Sequence, residues 1–372
     1  MSENVKPFAY VTDKNYNLSR QTSKRGIILR KMSVTLADIA RELGLSKMTV
    51  SRAINNDPLV NSKTRERVLE VSRRLNYQPN HFARALVTNR SFLVGVIVPD
   101  LMHSYFAEIL HGIGEFSRST NYQIVIGNSE EQVAREISEV DALRWRTDGL
   151  IIAPTLPVSK VDTYRTMIDE GTKIVLIDRT LEGLACPMVT TDNTEVGVLA
   201  TEYLIKLGHK RIGHLKGTTT STSKERLDGY KQALSRNNIA FDKSLVKDCG
   251  LMESEGYTAM RSWIKEGGLP TAIFAVNDPT AIGAMQAMDE AGIRPGEDIA
   301  VIGSGNIHYG DMLRVPLTTV SWSRGEMGQS AMRLLVQMIE GNNKDAVNQK
   351  VILSPSIVVR KSCGAFKIRQ AA

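Results

Sequence analysis

The spacing of hydrophobic residues divides the chain into two regions that meet near Phe92. After this point short apolar runs, namely FLVGVIVP, YQIVIG, GLIIAP, KIVLIDR, RIGHLKG, TAIFAVND and DIAVIG, alternate with other segments. Continuous runs of this kind suit parallel strands covered on both faces. The segments between them include 105–118, 195–207 and 280–291, which have helical spacing. The alternation predicts a doubly wound α/β fold, and the length to Arg360 suits two lobes.

Before this boundary, two short helical patterns are separated by a glycine turn. Thr35 is a good N-cap, Asp38 completes an approximate capping box, and Gly44 suits the residue after the last turn. Ser46 is placed to cap the second helix. The residues predicted to face inward are Leu36, Ile39, Ala40, Leu43, Val50, Ala53 and Ile54.

A third helical pattern, from about residue 62 to 75, completes this region. Its predicted buried stripe is Val68, Leu69, Val71 and Leu75, and its exposed basic residues are Lys63, Arg65, Arg67, Arg73 and Arg74. Two short helices joined by a tight turn form a helix-turn-helix unit, whose second helix enters the DNA major groove. The start of that helix should then reach base edges, which places Lys47 and Met48 first. A small helical bundle with a charged surface is the alternative.

Basic residues are concentrated at the N-terminal end. Residues 1–90 hold 17 Lys/Arg against 7 Asp/Glu, a balance of +10, whereas residues 91–372 hold 30 against 33, a balance of −3. This distribution indicates a polyanionic partner for the first region alone, with a solvated charged surface as the alternative. Residues 1–31 are polar and aperiodic, which predicts a disordered basic arm over 1–32 or a start placed upstream of Met32.

The remaining composition is that of an ordinary globular protein. Hydrophobic residues make up 42% and charged residues 23% of the chain. No apolar run approaches the roughly 18 residues of a membrane span, and the N-terminus has no secretory apolar region. Cys186, Cys249 and Cys363 lie far apart, which fits a reducing compartment. These features predict a cytoplasmic protein without a membrane partner.

Residues 34–91 resemble a known family. They read VTLADIARELGLSKMTVSRAINNDPLVNSKTRERVLEVSRRLNYQPNHFARALVTNRS. TVSR, the TRERV run and LNYxPNxxARxL are typical of the headpiece of the lactose-repressor family of bacterial transcription regulators. The resemblance implies a helix-turn-helix headpiece over 33–78 that binds palindromic double-stranded operator DNA as a homodimer in the bacterial nucleoid. The DNA-binding residues that we expect are Thr35, Ser46, Lys47, Met48, Thr49, Ser51, Arg52, Asn55, Asn80, Ala83 and Leu86. Lys47 and Met48 depart from the best-known member, so its operator cannot be transferred.

A short helical segment follows the headpiece at residues 79–91. Ala83 and Leu86 share one face after Pro79, but the segment is too short to be stable alone, and a simple linker is the alternative. The resemblance implies a hinge helix that becomes ordered when two copies pair on DNA. Leu86 would then insert as an apolar wedge between base steps in the minor groove.

The family resemblance continues through the second region. LIxLGHKRIGHLKG, ERLDGYKQAL, AIFAVNDPTAIGAMQAMDEAGIRPGEDIAVIGSGN and PLTTV resemble the core of the family, which is similar to periplasmic sugar-binding proteins. The resemblance implies an effector-binding and dimerisation domain over 92–360, with crossovers near Asp192, Ser321 and Gln349. The tail, 361–372, has no leucine heptads, which predicts a dimer rather than a tail-zippered tetramer.

The ligand cleft can be placed from the strand ends, because open α/β sheets bind ligands beyond the carboxyl ends of their strands. The resemblance adds Arg226 as an effector-binding arginine, Asp278 as a hydroxyl-binding aspartate and Phe106 as a ring-stacking aromatic. The expected effector-binding residues are Tyr105, Phe106, Asn128, Thr155, Asp178, Arg179, Arg226, Asn277, Asp278 and Asn306. For some of these there are structural alternatives: an ion pair between Asp178 and Arg179, a core position for Phe106, and a helix cap for Asp278. The run GSGN departs from the aromatic and acidic residues common in the family, so no specific ligand transfers. We expect a small-molecule effector of the carbohydrate class, namely a sugar or a sugar derivative.

Catalytic motifs are weak in this sequence. VIGSGNIHYG contains GxG after a strand, but Gly310 comes two residues too late for a dinucleotide fingerprint. His209 and His214 lack further metal ligands at sensible spacing and are expected to be surface and strand residues. We therefore expect a binding protein without catalysis, cofactor or metal. A sugar-transport binding protein would need a signal peptide and no helix-turn-helix.

Overall fold

The computed structural model describes residues 34–78, 85, 88–341 and 349–365. The contacts divide the chain into two compact units, Met1–Asn80 and His81–Ala372. We call the described part of the first unit the headpiece and that of the second unit the body, and we describe each by itself.

The headpiece is built from three helices. They are α1 (Leu36–Leu43), α2 (Lys47–Ile54) and α3 (Ser62–Arg74). Asp38 accepts hydrogen bonds from the Thr35 backbone N–H at 2.9 Å and from the Thr35 hydroxyl at 2.7 Å, which closes the start of α1. Gly44 adopts a left-handed φ of 65° and ends that helix. The buried core of the headpiece consists of Ile39, Ala40, Val50, Ala53, Val60, Val68 and Val71.

Two predictions for α3 are wrong. Leu69 does not belong to the buried stripe, since it is 38% exposed. Arg65 is partly buried rather than exposed, because its Nη2 donates to the backbone oxygens of Asp57 at 2.7 Å and of Val60 at 2.9 Å. Arg65 therefore stabilises the loop before α3.

The body contains two six-stranded sheets. The strands are β1 (Leu93–Val98), β2 (Gln123–Asn128), β3 (Gly149–Ile152), β4 (Ile174–Ile177), β5 (Met188–Thr191), β6 (Ile212–Lys216), β7 (Val246–Asp248), β8 (Ala272–Ala275), β9 (Ala300–Ser304), β10 (Thr318–Ser321), β11 (Lys350–Leu353) and β12 (Ser356–Val358). The first sheet has the order β11-β5-β4-β3-β1-β2 and the second β12-β10-β9-β8-β6-β7. Every pairing is parallel except that of β10 with β12. The predicted doubly wound α/β architecture with two lobes is confirmed.

Helices cover both sheets. They are α4 (Ser104–Arg118), α5 (Val133–Arg144), α6 (Asp162–Asp169), α7 (Asn193–Lys206), α8 (Ser221–Arg236), α9 (Glu253–Glu266), α10 (Asp278–Glu290) and α11 (Arg324–Glu340). Short 3₁₀ turns lie at Val158–Lys160, Lys243–Leu245 and Lys361–Cys363. The apolar runs of the sequence form β1–β4, β6, β8 and β9. The residues of six of these strands are almost all buried, as expected for strands covered on both faces. The expectation is wrong for β2, which lies at the edge of its sheet and leaves Ile126 48% exposed.

The chain crosses between the lobes three times. It leaves the first lobe after β5, returns after β10, and leaves again between β11 and β12. The first two crossings agree with the expectation near Asp192 and Ser321. The third was expected near Gln349, but Gln349 still lies in the first lobe, where its backbone oxygen accepts from the Met188 N–H at 3.0 Å. The crossing falls at residues 354–355 because β11 completes the first sheet before the chain leaves it.

The segment predicted as a tail begins inside the body. Ser362 is fully buried, and its hydroxyl accepts from the Thr318 N–H at 2.8 Å and donates to the Val301 carbonyl at 2.7 Å. The first residues after Arg360 thus form hydrogen bonds to both β9 and β10, and the body extends at least to Ala365. Across the described residues, no helix combines the length and the apolar character that a membrane crossing requires.

Candidate DNA-binding surface and ligand cleft

Helix α2 presents a polar face and a buried face. Val50 and Ala53 are buried, whereas Lys47 and Arg52 are exposed and Met48 is 64% exposed. An apolar side chain this exposed at the start of a helix has no packing function within the headpiece. Exposed methionine and lysine at this position can reach a thymine methyl and guanine O6/N7, respectively.

The other residues predicted to contact DNA surround this face. The Ser46 hydroxyl accepts from the Thr49 N–H at 3.1 Å and caps α2. Asn55 donates to the Ser51 carbonyl at 2.9 Å. Arg52 lies 3.7 Å from the Asp57 carboxylate, a distance that leaves the guanidinium able to turn toward a phosphate. Their DNA roles, like that of exposed Thr35, stay predictions, and Asn80, Ala83 and Leu86 lie outside the described residues.

The body contains a cavity of about 930 Å³ between its lobes, which we call the cleft. It lies beyond the carboxyl ends of the strands, where doubly wound folds bind ligands. Eight of the ten residues predicted from the sequence line it: Tyr105, Phe106, Asn128, Thr155, Asp178, Arg179, Arg226 and Asn277.

Asp278 and Asn306 do not line the cleft. Asp278 is fully buried and accepts from the Thr319 hydroxyl at 2.6 Å and the Ile307 N–H at 2.9 Å. Asn306 bonds to Ser321 at 3.1 Å and to Arg360 at 2.7 Å. Burial raises the pKa of Asp278 to about 6, since desolvation outweighs these hydrogen bonds. Both residues hold the loop after β9, whose Gly305 and Ile307 do line the cleft.

Arg226 is a buried cation without an acidic partner. It is 6% exposed, and it donates from Nε to Asn193 Oδ1 at 3.0 Å and from Nη1 to the Val276 carbonyl at 2.7 Å. Its guanidinium carbon lies 5.2 Å from the centre of the Trp322 ring. Burial lowers the pKa of Arg226 from its ordinary value. Among the described residues no carboxylate forms an ion pair with it, so Nη2 remains available to a ligand.

Asp178 has an unusual backbone at the end of β4. Its φ is 62°, and the Arg179 N–H bonds to the Ile177 carbonyl at 2.6 Å, which makes a tight three-residue turn. A left-handed non-glycine residue costs about 1–3 kcal/mol and persists only when its surroundings hold it. Here Asp178 Oδ1 accepts from the Tyr105 hydroxyl at 2.6 Å, and that hydroxyl accepts from Trp322 Nε1 at 3.2 Å. The turn thus aims a carboxylate into the cleft.

Arg179 differs from Arg226 because its charge is already neutralised. Its Nη1 donates to Glu131 Oε2 at 2.8 Å, and its Nη2 donates to the other oxygen of the same carboxylate at 2.5 Å. A bidentate pair of this kind is strong and fixes the geometry of both groups. The ion pair between Asp178 and Arg179, which the sequence offered as an alternative, is longer than the pair with Glu131: Arg179 Nε lies 3.9 Å from Asp178 Oδ2.

Sequence reasoning missed several residues of the cleft. Glu131, Trp322 and His103 line it, as do the hydroxyl-bearing Thr218, Thr219, Thr220 and Thr222. Glu131 and Trp322 each follow a strand by one to three residues, so a longer window after each strand would have found them. The threonines precede and begin α8, a position where hydroxyls commonly cap helices.

Buried Glu136 holds one wall of the cleft. It accepts from the Leu156 N–H at 3.0 Å and the Tyr164 hydroxyl at 2.6 Å, and also from the Thr155 N–H. Burial raises the pKa of Glu136 above its ordinary value. Glu136 therefore positions the backbone that presents Thr155, although it does not itself line the cleft.

Two contacts join the lobes around the cleft. The Thr180 N–H donates to the Ser221 hydroxyl at 2.9 Å, directly after the Asp178 turn. Arg324 donates to Glu108 of α4 at 2.7 Å and to the carbonyl of Gly305 in the other lobe. A change in the relative position of the lobes must break or rearrange these bonds.

The two histidines considered as metal ligands have other environments. His214 is fully buried and stacks between Tyr230 and Phe274, and His209 bonds to the Thr271 hydroxyl at 3.0 Å. In the parts of the chain that the structure covers, no group of three or more His, Cys, Asp or Glu side chains could hold a metal ion.

Comparison with known proteins gives matches for both units. Residues 35–80 match bacterial regulatory proteins of the lacI family, and residues 201–363 match a periplasmic binding protein-like domain. The HTH-type transcriptional repressor PurR of Pasteurella multocida (strain Pm70) is 32% identical over 88% of this chain and 98% of its own length.

Solved structures agree with these matches. The lac repressor dimer bound to operator and the anti-inducer ONPF has a TM-score of 0.80 and 29% identity, covering 90% of this chain and 100% of that one. The complex of the transcriptional regulator CelR with cellobiose has a TM-score of 0.66 and 28% identity, covering 88% and 99%. The similarity extends over nearly the whole chain.

Proposed function

This chain belongs to the lacI family of bacterial regulatory proteins, and on that premise we propose that it represses transcription under the control of a small molecule bound in the cleft. In this proposal the headpiece reads operator DNA, and the ligand, which we take to be a carbohydrate, changes operator affinity through the body. A ligand can do so only by binding two lobe arrangements with different affinity.

The observation that carries the DNA-binding part is the exposed start of α2. Lys47 and Met48 project from a helix whose opposite face is held by the headpiece core. A helix fixed in this way can enter a major groove about 12 Å wide with its first residues against the bases. The operator complex of the related lac repressor dimer supports a palindromic site read by two copies of the chain.

The ligand part rests on the chemistry of the cleft. Its buried polar groups include a donor without an acidic partner, Arg226, and an acceptor, Asp178, beside the rings of Tyr105 and Trp322. Hydroxyl groups both donate and accept, and sugar rings present apolar faces to aromatic side chains. The cellobiose complex of the related CelR supports the same ligand class.

Selection from a random duplex pool with the full chain tests the proposal. We expect enrichment of a two-fold symmetric sequence, and a Lys47→Ala variant should lose the base preference at one position of each half-site. Lys63→Ala, a change at another exposed lysine, should keep the same preference. Failure to enrich any duplex would contradict the DNA-binding part.

The ligand part is tested separately on the selected operator. A panel of sugars is added to the complex, and at least one should change operator affinity. The Arg226→Ala variant should retain operator binding and lose that response.

A further inference from the structure

The charges that line the cleft are strongly unbalanced. Two guanidinium groups, Arg179 and Arg226, contribute positive charge, and no lysine lines the cleft among the described residues. Five carboxylates oppose them: Asp100, Glu130, Glu131, Asp178 and Glu255. Burial lowers the pKa of His103 below the ordinary value, which disfavours a positive charge on its ring.

Only one of the two cations is free to meet a ligand. Both terminal nitrogens of Arg179 are occupied by Glu131. Arg226 has a free Nη2, but burial lowers the pKa of its guanidinium, an effect that the charge of Asp178 only partly opposes. A doubly charged phosphate would thus find a single available guanidinium, in a cleft that the Asp178 carboxylate also lines.

The start of α8 is partly engaged by its own cap. The end of a helix can bind an anion through its free N–H groups. Here the Thr220 hydroxyl accepts from the Ser223 N–H at 3.4 Å, which engages one of these N–H groups, and the Ser221 hydroxyl accepts from the Thr180 N–H. The cleft-lining hydroxyls of Thr218 and Thr219 can bond to neutral or charged groups alike.

We propose that the effector is an uncharged, hydroxyl-rich molecule, and that the carboxylates of the cleft reject phosphorylated and carboxylated analogues. This inference rests on the proposed function and narrows its ligand class. Arg226 donates to a ligand hydroxyl, and Asp178 accepts from one. A neutral ligand meets both partners, whereas an anion must be desolvated beside Asp178 without enough positive charge to compensate.

Glu131 is the residue through which the charge of the cleft can be changed. Its replacement by glutamine removes a carboxylate and releases the buried Arg179 at the same time. Glu130 provides a matched control, since it is adjacent and also lines the cleft but pairs with Arg135, which is half exposed. Glu131→Gln should therefore create an anion site, and Glu130→Gln should do so much less.

The first experiment uses sulfate as the probe and the thermal unfolding midpoint as the readout, with ionic strength held constant. The unmodified protein should show no saturable shift, Glu131→Gln should show one, and Glu130→Gln should show little. Saturable binding of sulfate to the unmodified protein overturns the inference. An equal response of both variants overturns it as well. If Glu131→Gln does not fold, the unmodified protein alone still decides.

The second experiment compares neutral mono- and disaccharides with their 6-phosphates and sugar acids, by calorimetry and by operator affinity. A neutral member should bind at least about 10-fold more tightly than its charged analogues, which corresponds to about 1.4 kcal/mol. A charged analogue that binds more tightly than its neutral parent overturns the inference but leaves the proposed function standing. If none of these compounds binds or changes operator affinity while operator binding persists, the carbohydrate part of the proposed function is wrong. The sulfate experiment then still tests whether the cleft rejects anions.

Discussion

The recognition face of α2 and the cleft of the body use charged residues in opposite ways. Lys47 is exposed and bonds to no other described residue, whereas Arg179 and Arg226 are 4% and 6% exposed and hold two or more hydrogen bonds each. Exposed cations acting on DNA phosphates give affinity that falls steeply with salt. Buried, fixed groups are screened far less. Operator affinity should therefore depend strongly on salt concentration, and ligand affinity only weakly.

The most severe test of this comparison is removal of the free cation in the cleft. Arg226→Ala should abolish the effector response, because the ligand loses a buried charged donor. Operator affinity without ligand should stay within about 3-fold of that of the unmodified protein. The control variant Lys224→Ala, which changes an exposed residue of the same helix, should keep the normal response of operator affinity to the effector. Calorimetry and operator titration measure both properties, and normal ligand binding by Arg226→Ala would place the ligand elsewhere.

Acid should weaken the body through a residue in its core. Burial lowers the pKa of His214 from 6.5 to about 4. The unfolded chain therefore takes up a proton more readily than the folded one, and the free energy of unfolding should fall by about 3 kcal/mol between pH 6.5 and 4.

His214→Phe should reduce this loss, and urea unfolding followed by tryptophan fluorescence measures it, since all three tryptophans lie in the body. Asp278, whose pKa is raised to about 6, acts with the opposite sign as pH falls below 6, but it is present in both proteins. The comparison between them thus isolates His214. Equal pH dependence of the two proteins would show that His214 is not the group responsible.

The two kinds of DNA contact can be separated within the headpiece. Lys47→Ala should weaken binding to the preferred operator by about 1–3 kcal/mol and relax one base preference. Lys63→Ala should weaken all sequences alike and reduce the salt slope by about 1. Operator titrations at several salt concentrations measure both slopes. A uniform loss in Lys47→Ala would assign that residue to the DNA backbone.

The smallest expected effect concerns the cap of α2. Ser46→Ala removes the hydroxyl that accepts from the Thr49 N–H and should cost about 1 kcal/mol of headpiece stability. Ser46→Asp, which retains an acceptor, should cost less. Circular dichroism of the two variants measures the difference, and ligand binding by the body should not change.

Local patterns were sufficient for much of this fold. The capping of α1 by Thr35 and Asp38, the turn at Gly44 and seven of the twelve strands follow from side-chain chemistry and from apolar runs. The strands β5, β7, β10, β11 and β12 are not among those runs, because each of them contains threonine, serine or a charged residue. Eight of the ten expected effector-binding residues line the cleft because the carboxyl ends of parallel strands meet there.

The sequence alone determined the two architectures, the basic headpiece and the edge of the sheets at which the cleft lies, since each follows from periodicity, composition or strand direction. Only the tertiary structure decided which charges in the cleft are available. Glu131 occupies Arg179 across 48 residues of sequence, while Arg226 meets only the neutral acceptors Asn193 and Val276. Asp278 is buried and holds the loop after β9. Such pairings depend on distances between elements that fold from remote parts of the chain, and no local pattern contains those distances.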